Sequence, residues 1–140
     1  MQPMIVSTKP TYLTMLPTPN TPSKAYTQTN IKHAVINDIN SDLITCYKTV
    51  RDNVEELIPA LQDIQAQYYA LQDMDAKRDM FMAVRQRYNE KNLDPIENTA
   101  KFFFLNRTCF NGLYRVNKKG LFNVPCGKYM QPQICDEDTL

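Results

Sequence analysis

Glycine is the feature that most constrains this chain. Average usage of about 7% would give a 140-residue chain about ten glycines. This one has three, Gly112, Gly120 and Gly127, all in the last third. A phosphate-cradling glycine loop before residue 112 is thereby excluded, because such loops need several residues without a Cβ. A self-sufficient nucleotide or cofactor enzyme is hard to build from such a sequence. Helices are not, since they suffer from glycine in their interiors.

Charge is unevenly placed along the chain. Residues 98–135 hold six basic residues (Lys101, Arg107, Arg115, Lys118, Lys119, Lys128) and no acid, whereas residues 31–97 hold eight basic and twelve acidic ones. A basic segment on a chain of net charge +1 points to a localised polyanion contact or to a solvated face without acids. The cysteines at 46, 109, 126 and 135 form no C-x-x-C pair, and the one histidine, His33, is remote from them. The expectation is free thiols, no metal site, and a His33 that serves surface or strand packing. No apolar run approaches the roughly 18 residues of a membrane span, and no secretion signal opens the chain, so a cytoplasmic protein is expected.

Residues 1–30 hold five of the nine prolines, two lysines and no acid. They read as an irregular or disordered segment with a short extended piece near Met4–Val6. Ala34-Val35-Ile36 reads as a buried parallel strand, and Asn40 or Ser41 as the cap of a helix carrying Leu43, Ile44, Tyr47 and Val50. Residues 31–51 are thus strand plus helix. Helical patterns restart at Asp52, with Pro59 as a kink or break, and at Asp75. Asp94-Pro95-Ile96-Glu97 joins an N-cap acid, proline at the first helical position and a glutamate three residues on, a strong start for a helix reaching Arg107. Leu113–Val116, Asn117–Gly120 and Leu121–Val124 read as strand, turn and strand. Phe102, Phe103, Phe104, Tyr47, Tyr68, Tyr69, Tyr88, Met74, Met80 and Met82 are assigned to the core.

Two stretches resemble one family. Asn37-Asp38-Ile39-Asn40-Ser41-Asp42-Leu43 is similar to the D-I-N-x-x-L segment of the Dam-like (D12 class) DNA adenine N6-methyltransferases. Phe104-Leu105-Asn106-Arg107, Phe110-Asn111-Gly112-Leu113-Tyr114-Arg115 and Gly120-Leu121-Phe122-Asn123-Val124-Pro125-Cys126-Gly127-Lys128-Tyr129 resemble that family's recognition region, in order and at its spacing. The resemblance covers roughly residues 33–135. It implies an α/β fragment: part of a Rossmann-like methyltransferase fold with a mostly helical insertion and a β-hairpin target-recognition region. Residues 52–135 would be that helical region, with the DNA-reading hairpin about 113–125, and residues 136–140 a truncated tail.

The family's K-W-x-G-G-K-like segment, its F-x-G-x-G loop and its D-P-P-Y motif have no counterpart in these residues. The resemblance therefore implies an incomplete or split S-adenosyl-L-methionine-dependent enzyme of the Dam or restriction-modification type. Such a chain would be inactive alone, act on double-stranded DNA, and work with a separate chain carrying the catalytic motif. A non-enzymatic DNA-binding remnant or regulator, or a decayed gene product, is the rival expectation.

No catalytic residue is expected here. Asp38 reads as the acid on the cofactor's ribose hydroxyls, or as a turn or cap. For the DNA side, the resemblance makes Phe110 an aromatic wedge beside a flipped adenine, with a core aromatic as the other reading. Asn111 would bond the orphaned base or a phosphate, and Arg115 a guanine in the major groove. Leu113 and Pro125 would touch a thymine methyl, while Lys118, Lys119 and Lys128 would contact phosphates or merely solvate the hairpin. Asn106 and Arg107 would hold the helix end to the hairpin base, with a phosphate contact as the other reading of Arg107.

Overall fold

The computed structural model describes Met4–Ser7 and residues 33–140. The expectation for residues 8–30 lies outside the described residues. The chain divides into two compact units, Met1–Ile44 and Thr45–Leu140.

In the first unit, β1 (Met4–Ser7) pairs with β2 (His33–Ile36). The pairing is antiparallel, with Met4 opposite Ile36 and Ser7 opposite His33. This corrects the buried parallel strand read from Ala34-Val35-Ile36. A two-stranded antiparallel ribbon can leave one face in water, and Val35 is 62% exposed. His33 lies exposed on β2. After β2, the Asp38 carboxylate accepts the Asn40 N–H at 2.7 Å. Asn40 then caps α1 (Ser41–Asp52), its Oδ1 accepting the N–H groups of Asp42 and Leu43 at 3.0 and 3.3 Å. Two of the helix's first orphan donors are satisfied this way.

The second unit is mostly helical. Asn53 separates α1 from α2 (Val54–Ala70), and α2 runs through Pro59 without a break. The proline sits near the N-terminal end, where few intrahelical bonds are lost. The next helix, α3 (Met74–Asn89), starts one residue before Asp75 because Asp73 is its cap, accepting the Ala76 N–H at 2.8 Å. Asp94 caps α4 (Pro95–Thr108) as the sequence signature requires, accepting from Ile96 and Glu97 at 3.0 and 3.1 Å. Glu97 takes no part in a capping box. Its carboxylate instead receives the Arg87 guanidinium at 3.1 and 3.2 Å, tying the end of α3 to the start of α4.

These helices bury Leu57, Leu61, Ile64, Tyr68, Phe81, Val84, Tyr88, Ala100, Phe104 and Leu105 with Phe122, Val124 and Ile134 from the C-terminal segment. Tyr68 meets Phe104 edge-on at 5.6 Å, and Tyr88 meets Phe122 edge-on at 6.3 Å. The core assignment fails for two residues, Tyr47 and Met82, which are exposed. Lys77 is the unexpected core member. Its Nζ donates to the Tyr68 carbonyl at 2.6 Å and lies 4.2 Å from the Tyr68 ring centre. It thus places a cation on the carbonyl end of α2, where the helix dipole favours one. Burial pulls its pKa down, against the opposing pull of Asp73.

Residues 121–135 have no regular secondary structure, yet their backbone is held by helix side chains. Asn89 Oδ1 accepts the Phe122 N–H at 2.8 Å, and its Nδ2 donates to the Phe122 carbonyl at 2.9 Å. Arg85 donates to the Val124 carbonyl at 3.2 Å. The Tyr68 and Tyr69 hydroxyls donate to the Tyr129 and Pro132 carbonyls at 2.7 and 2.8 Å. Gln65 Oε1 accepts from both Ile134 and Cys135, at 2.9 and 3.0 Å. Backbone groups that a sheet would have paired are satisfied by side chains instead.

Candidate nucleic-acid interface

The site starts where α4 ends. The backbone turns at Cys109 into a single 3-10 turn, Phe110–Gly112. Asn111 and Gly112 both take left-handed backbone angles, φ 53° and 60°. Glycine adopts them freely, and asparagine is among the few other residues that tolerate them.

Four bonds hold this corner. Phe110 N–H donates to the Pro125 carbonyl at 2.9 Å, Gly127 N–H to the Thr108 carbonyl at 2.8 Å, and Leu113 N–H to the Phe110 carbonyl at 3.3 Å. Asn106 Nδ2 donates to the Gly112 carbonyl at 3.0 Å. Asn106 therefore does hold the helix end to the arm, whereas Arg107 is simply exposed. Gly127 is irreplaceable on space alone, since a Cβ there would lie 2.9 Å from the Cys109 carbonyl. The outcome is a fixed backbone with a free ring: Phe110 is 50% exposed. The core-aromatic reading of Phe110 is thereby set aside.

Beyond the corner, the expected regular hairpin is reduced to a bridge between Val116 and Phe122. Around it, Asn117 N–H donates to Leu121 and Asn123 N–H to Arg115, at 2.9 and 3.1 Å. Asn117 also shapes the turn, its Oδ1 accepting from Lys119 and Leu121 at 2.9 and 3.1 Å. The ladder does not continue because the Asn123 carbonyl takes the Arg115 guanidinium, and Pro125, with no N–H to donate, gives its carbonyl to Phe110.

Phe122 and Val124 face the helices and are buried, while Pro125 is exposed. On the opposite arm Tyr114 leans on Phe102 and Phe122, with ring centres 5.6 and 5.9 Å away. Chain alternation then turns Leu113 and Arg115 the other way, and Leu113 is 49% exposed. Arg115 is not free in space. Its Nε donates to Asn123 Oδ1 at 2.8 Å and its Nη2 to the Asn123 carbonyl at 3.1 Å.

The eight candidate DNA residues thus all belong to the second unit and are exposed. Phe110, Asn111, Leu113 and Pro125 share the pinned corner, and Arg115 lies up the arm from it. Lys118 and Lys119 occupy the turn at its far end. Lys128 lies apart, lining a recess of about 490 Å³ with Met74, Asp75, Arg78, Cys126 and Gly127. Asp38 belongs to the first unit.

Sequence reading missed Asn89, Arg85, Gln65 and Asn123, whose roles are contacts to backbone or to another side chain. The one available signal was Asn123, inside the F-N-V-P stretch. Burial raises the pKa of the Cys109 and Cys126 thiols, so both are largely protonated near neutral pH. Among the described residues no group of acids, histidines or cysteines is arranged for a metal, and no helix is long and apolar enough to cross a membrane.

The profile of D12 class N6 adenine-specific DNA methyltransferases matches residues 24–140. The chain belongs to this family. Individual methyltransferases are also similar to the chain. It is 44% identical over 111 residues to the type II methyltransferase M.MjaIII of Methanocaldococcus jannaschii, covering 78% of this chain and 38% of that protein. It is 36% identical over 107 residues to the DNA N-6-adenine-methyltransferase of Escherichia phage P1, covering 76% and 13%. Against the DNA adenine methylase of Escherichia coli K12 it is 33% identical over 107 residues, covering 76% and 36%. The chain therefore spans little more than a third of the length of the first and third of these relatives, and 13% of the phage protein.

Proposed function

We propose that this chain supplies the target-recognition part of a site-specific adenine N6 DNA methyltransferase. The observation that carries the reading is the pinned corner at Phe110, where a half-exposed aromatic ring stands on a backbone held by Pro125, Asn106 and Gly127. Enzymes that modify a base take it out of the stack, and an inserted aromatic offsets part of the unstacking cost. A rigid mount makes the ring usable as a wedge, because little entropy remains to be lost on insertion.

In this reading Asn111 faces the gap left by the flipped adenine, and Arg115 reads a guanine. The Asn123 clamp restricts the Arg115 guanidinium before DNA arrives. Leu113 and Pro125 offer apolar contact to thymine methyls, and Lys118, Lys119 and Lys128 meet phosphates.

S-adenosyl-L-methionine, when bound, supplies the methyl group. Of the present residues Asp38 suits its ribose. One carboxylate oxygen accepts the Asn40 N–H, which orients the group, and a carboxylate retains further acceptor sites for hydroxyls. A second chain carrying the family's glycine-rich loop and D-P-P-Y motif would provide the rest of the donor site and the acceptor for the amino group.

The test is methyl transfer from labelled S-adenosyl-L-methionine to duplex DNA. The expected outcome is none with these 140 residues, and transfer to adenine when that catalytic chain is added. No transfer in the mixture, together with no duplex binding by this chain, would overturn the reading.

A further inference from the structure

Cys109 and Cys126 stand directly opposite each other in an isolated antiparallel bridge. The flanking bonds, Phe110 N–H to Pro125 and Gly127 N–H to Thr108, identify them as the non-hydrogen-bonded kind of pair. Such residues have Cα atoms about 4.5 Å apart and side chains on the same face. That spacing lies inside the range of about 4.4–6.8 Å that a disulfide accepts. The two thiols are close enough for Cys109 to disfavour ionisation of Cys126.

Three of the four cysteines are buried, and Cys126 alone is half-buried. It opens on the recess that Arg78 and Lys128 line with their cations and Asp75 with one carboxylate. Arg78 reaches Asp75 at 3.2 Å in a solvent-exposed pair, so the recess keeps a net positive charge.

We propose that Cys126 is a modification site for small anionic disulfides of the glutathione class, with Cys109 as its resolving thiol. The Cys126 thiolate attacks one sulfur of the small disulfide. A mixed disulfide forms, and one small thiolate leaves and takes up the proton that Cys126 lost. The Cys109 thiolate then attacks the Cys126 sulfur and expels the second small thiolate, which takes the Cys109 proton. Two protein thiols are oxidised and one small disulfide is reduced to two thiols. The new bond closes the base of the arm that carries Phe110, Asn111, Leu113, Arg115, Lys118 and Pro125. Its bearing on DNA contact rests on the function proposed above; the thiol chemistry does not.

The experiment treats the reduced chain with oxidised glutathione, then maps its peptides by mass spectrometry under non-reducing conditions. The expected result is a Cys109–Cys126 linked peptide, reversed by dithiothreitol. Amide exchange at Phe110 and Gly127 should slow about tenfold in the linked form. Cys109→Ser should accumulate glutathione on Cys126. Arg78→Gln, at an exposed position, should slow adduct formation about threefold at low salt, and slow reaction with the neutral 2-hydroxyethyl disulfide by less, since there only the effect of Arg78 on the Cys126 thiol is lost. Linkage through Cys46 or Cys135 instead, or no linkage in the wild-type chain, overturns the proposal without recourse to any variant. Duplex binding is measured on the same samples. A chain that forms the link but binds no duplex upholds the thiol pair and sinks the DNA reading; one that binds duplex without linking does the reverse.

Discussion

Asn89 grips the peptide of Phe122 from both sides, accepting its N–H at 2.8 Å and donating to its carbonyl at 2.9 Å. One side chain at the end of α3 does the work of a neighbouring strand. It also fixes the height at which Phe122 enters the core beside Tyr88. Asn89→Ala should therefore lower stability by about 2 kcal/mol, the net worth of two hydrogen bonds plus partial exposure of their partners. Asn89→Asp, which keeps the acceptor but sets a carboxylate oxygen against the Phe122 carbonyl, should lose at least as much. Urea unfolding of the three proteins checks both expectations.

Alkali should loosen the core through Tyr68. Burial, reinforced by Cys126, pushes its phenol up from 10.0 to about 12. Below the unfolded value both states hold the proton; between there and about 12 only the folded state does. The contribution of Tyr68 is thus complete below pH 10 and is lost as pH rises towards 12. Tyr68→Phe should flatten this part of the stability profile. It should also cost about 1 kcal/mol at neutral pH through the lost bond to Tyr129. Denaturant melts at stepped pH report both effects.

Phe110 should separate stability from function. Its half-exposed ring contributes little to the core, so Phe110→Ala should shift stability by no more than about 0.5 kcal/mol. Loss of a stacked aromatic should weaken binding to a cognate duplex roughly tenfold. A fluorescent adenine analogue at the target position, read with and without the substitution, shows whether unstacking falls with it.

The turn lysines should appear in the salt dependence. With about three phosphate contacts, log K for duplex DNA is expected to fall with log salt at a slope of about −2 to −3. Lys118→Gln with Lys119→Gln should flatten that slope by nearly two units. An unchanged slope would return both residues to ordinary surface charge.

Arg115 should discriminate between sequences. Arg115→Ala is expected to weaken the preferred site by about 1–3 kcal/mol and leave random duplex nearly unaffected. Asn123→Ala keeps the guanidinium but removes the bond at 2.8 Å, so its loss should be smaller and of the same pattern. Competition titrations with cognate and random duplexes decide. Equal losses on both would make Arg115 a phosphate contact.

The helices were legible because their signals are local. Asp94-Pro95 marks the start of α4 by itself, and the apolar spacing of Leu57, Leu61, Ile64 and Tyr68 marks the buried face of α2. The expected site in residues 104–129 came from the order of the family's motifs. What could not be read is non-local. The partner of β2 is Met4–Ser7, across a long sequence separation, and nothing in Ala34-Val35-Ile36 encodes its antiparallel direction. The apolar alternation of residues 121–124 reads as a strand, but only Leu121 and Asn123 bond the opposite arm, and the outer edge at Phe122 is met by a side chain on α3. Lys77 carries no mark of burial in the sequence; its ammonium sits on the Tyr68 carbonyl.

Asn89, Arg85, Gln65, Tyr68 and Tyr69 all hold the C-terminal segment by its main chain. Such a grip is indifferent to which residues occupy the outward positions of the arm between Leu113 and Pro125. Outward side chains such as those of Leu113 and Lys118 can be exchanged without disturbing the mount, provided Gly127 keeps the clearance it gives the Cys109 carbonyl and Asn117 keeps shaping the turn. On the function proposed above, target choice and folding would thereby be uncoupled: the arm would be an interchangeable tip, open to retargeting by substitution on a scaffold that stays as it is.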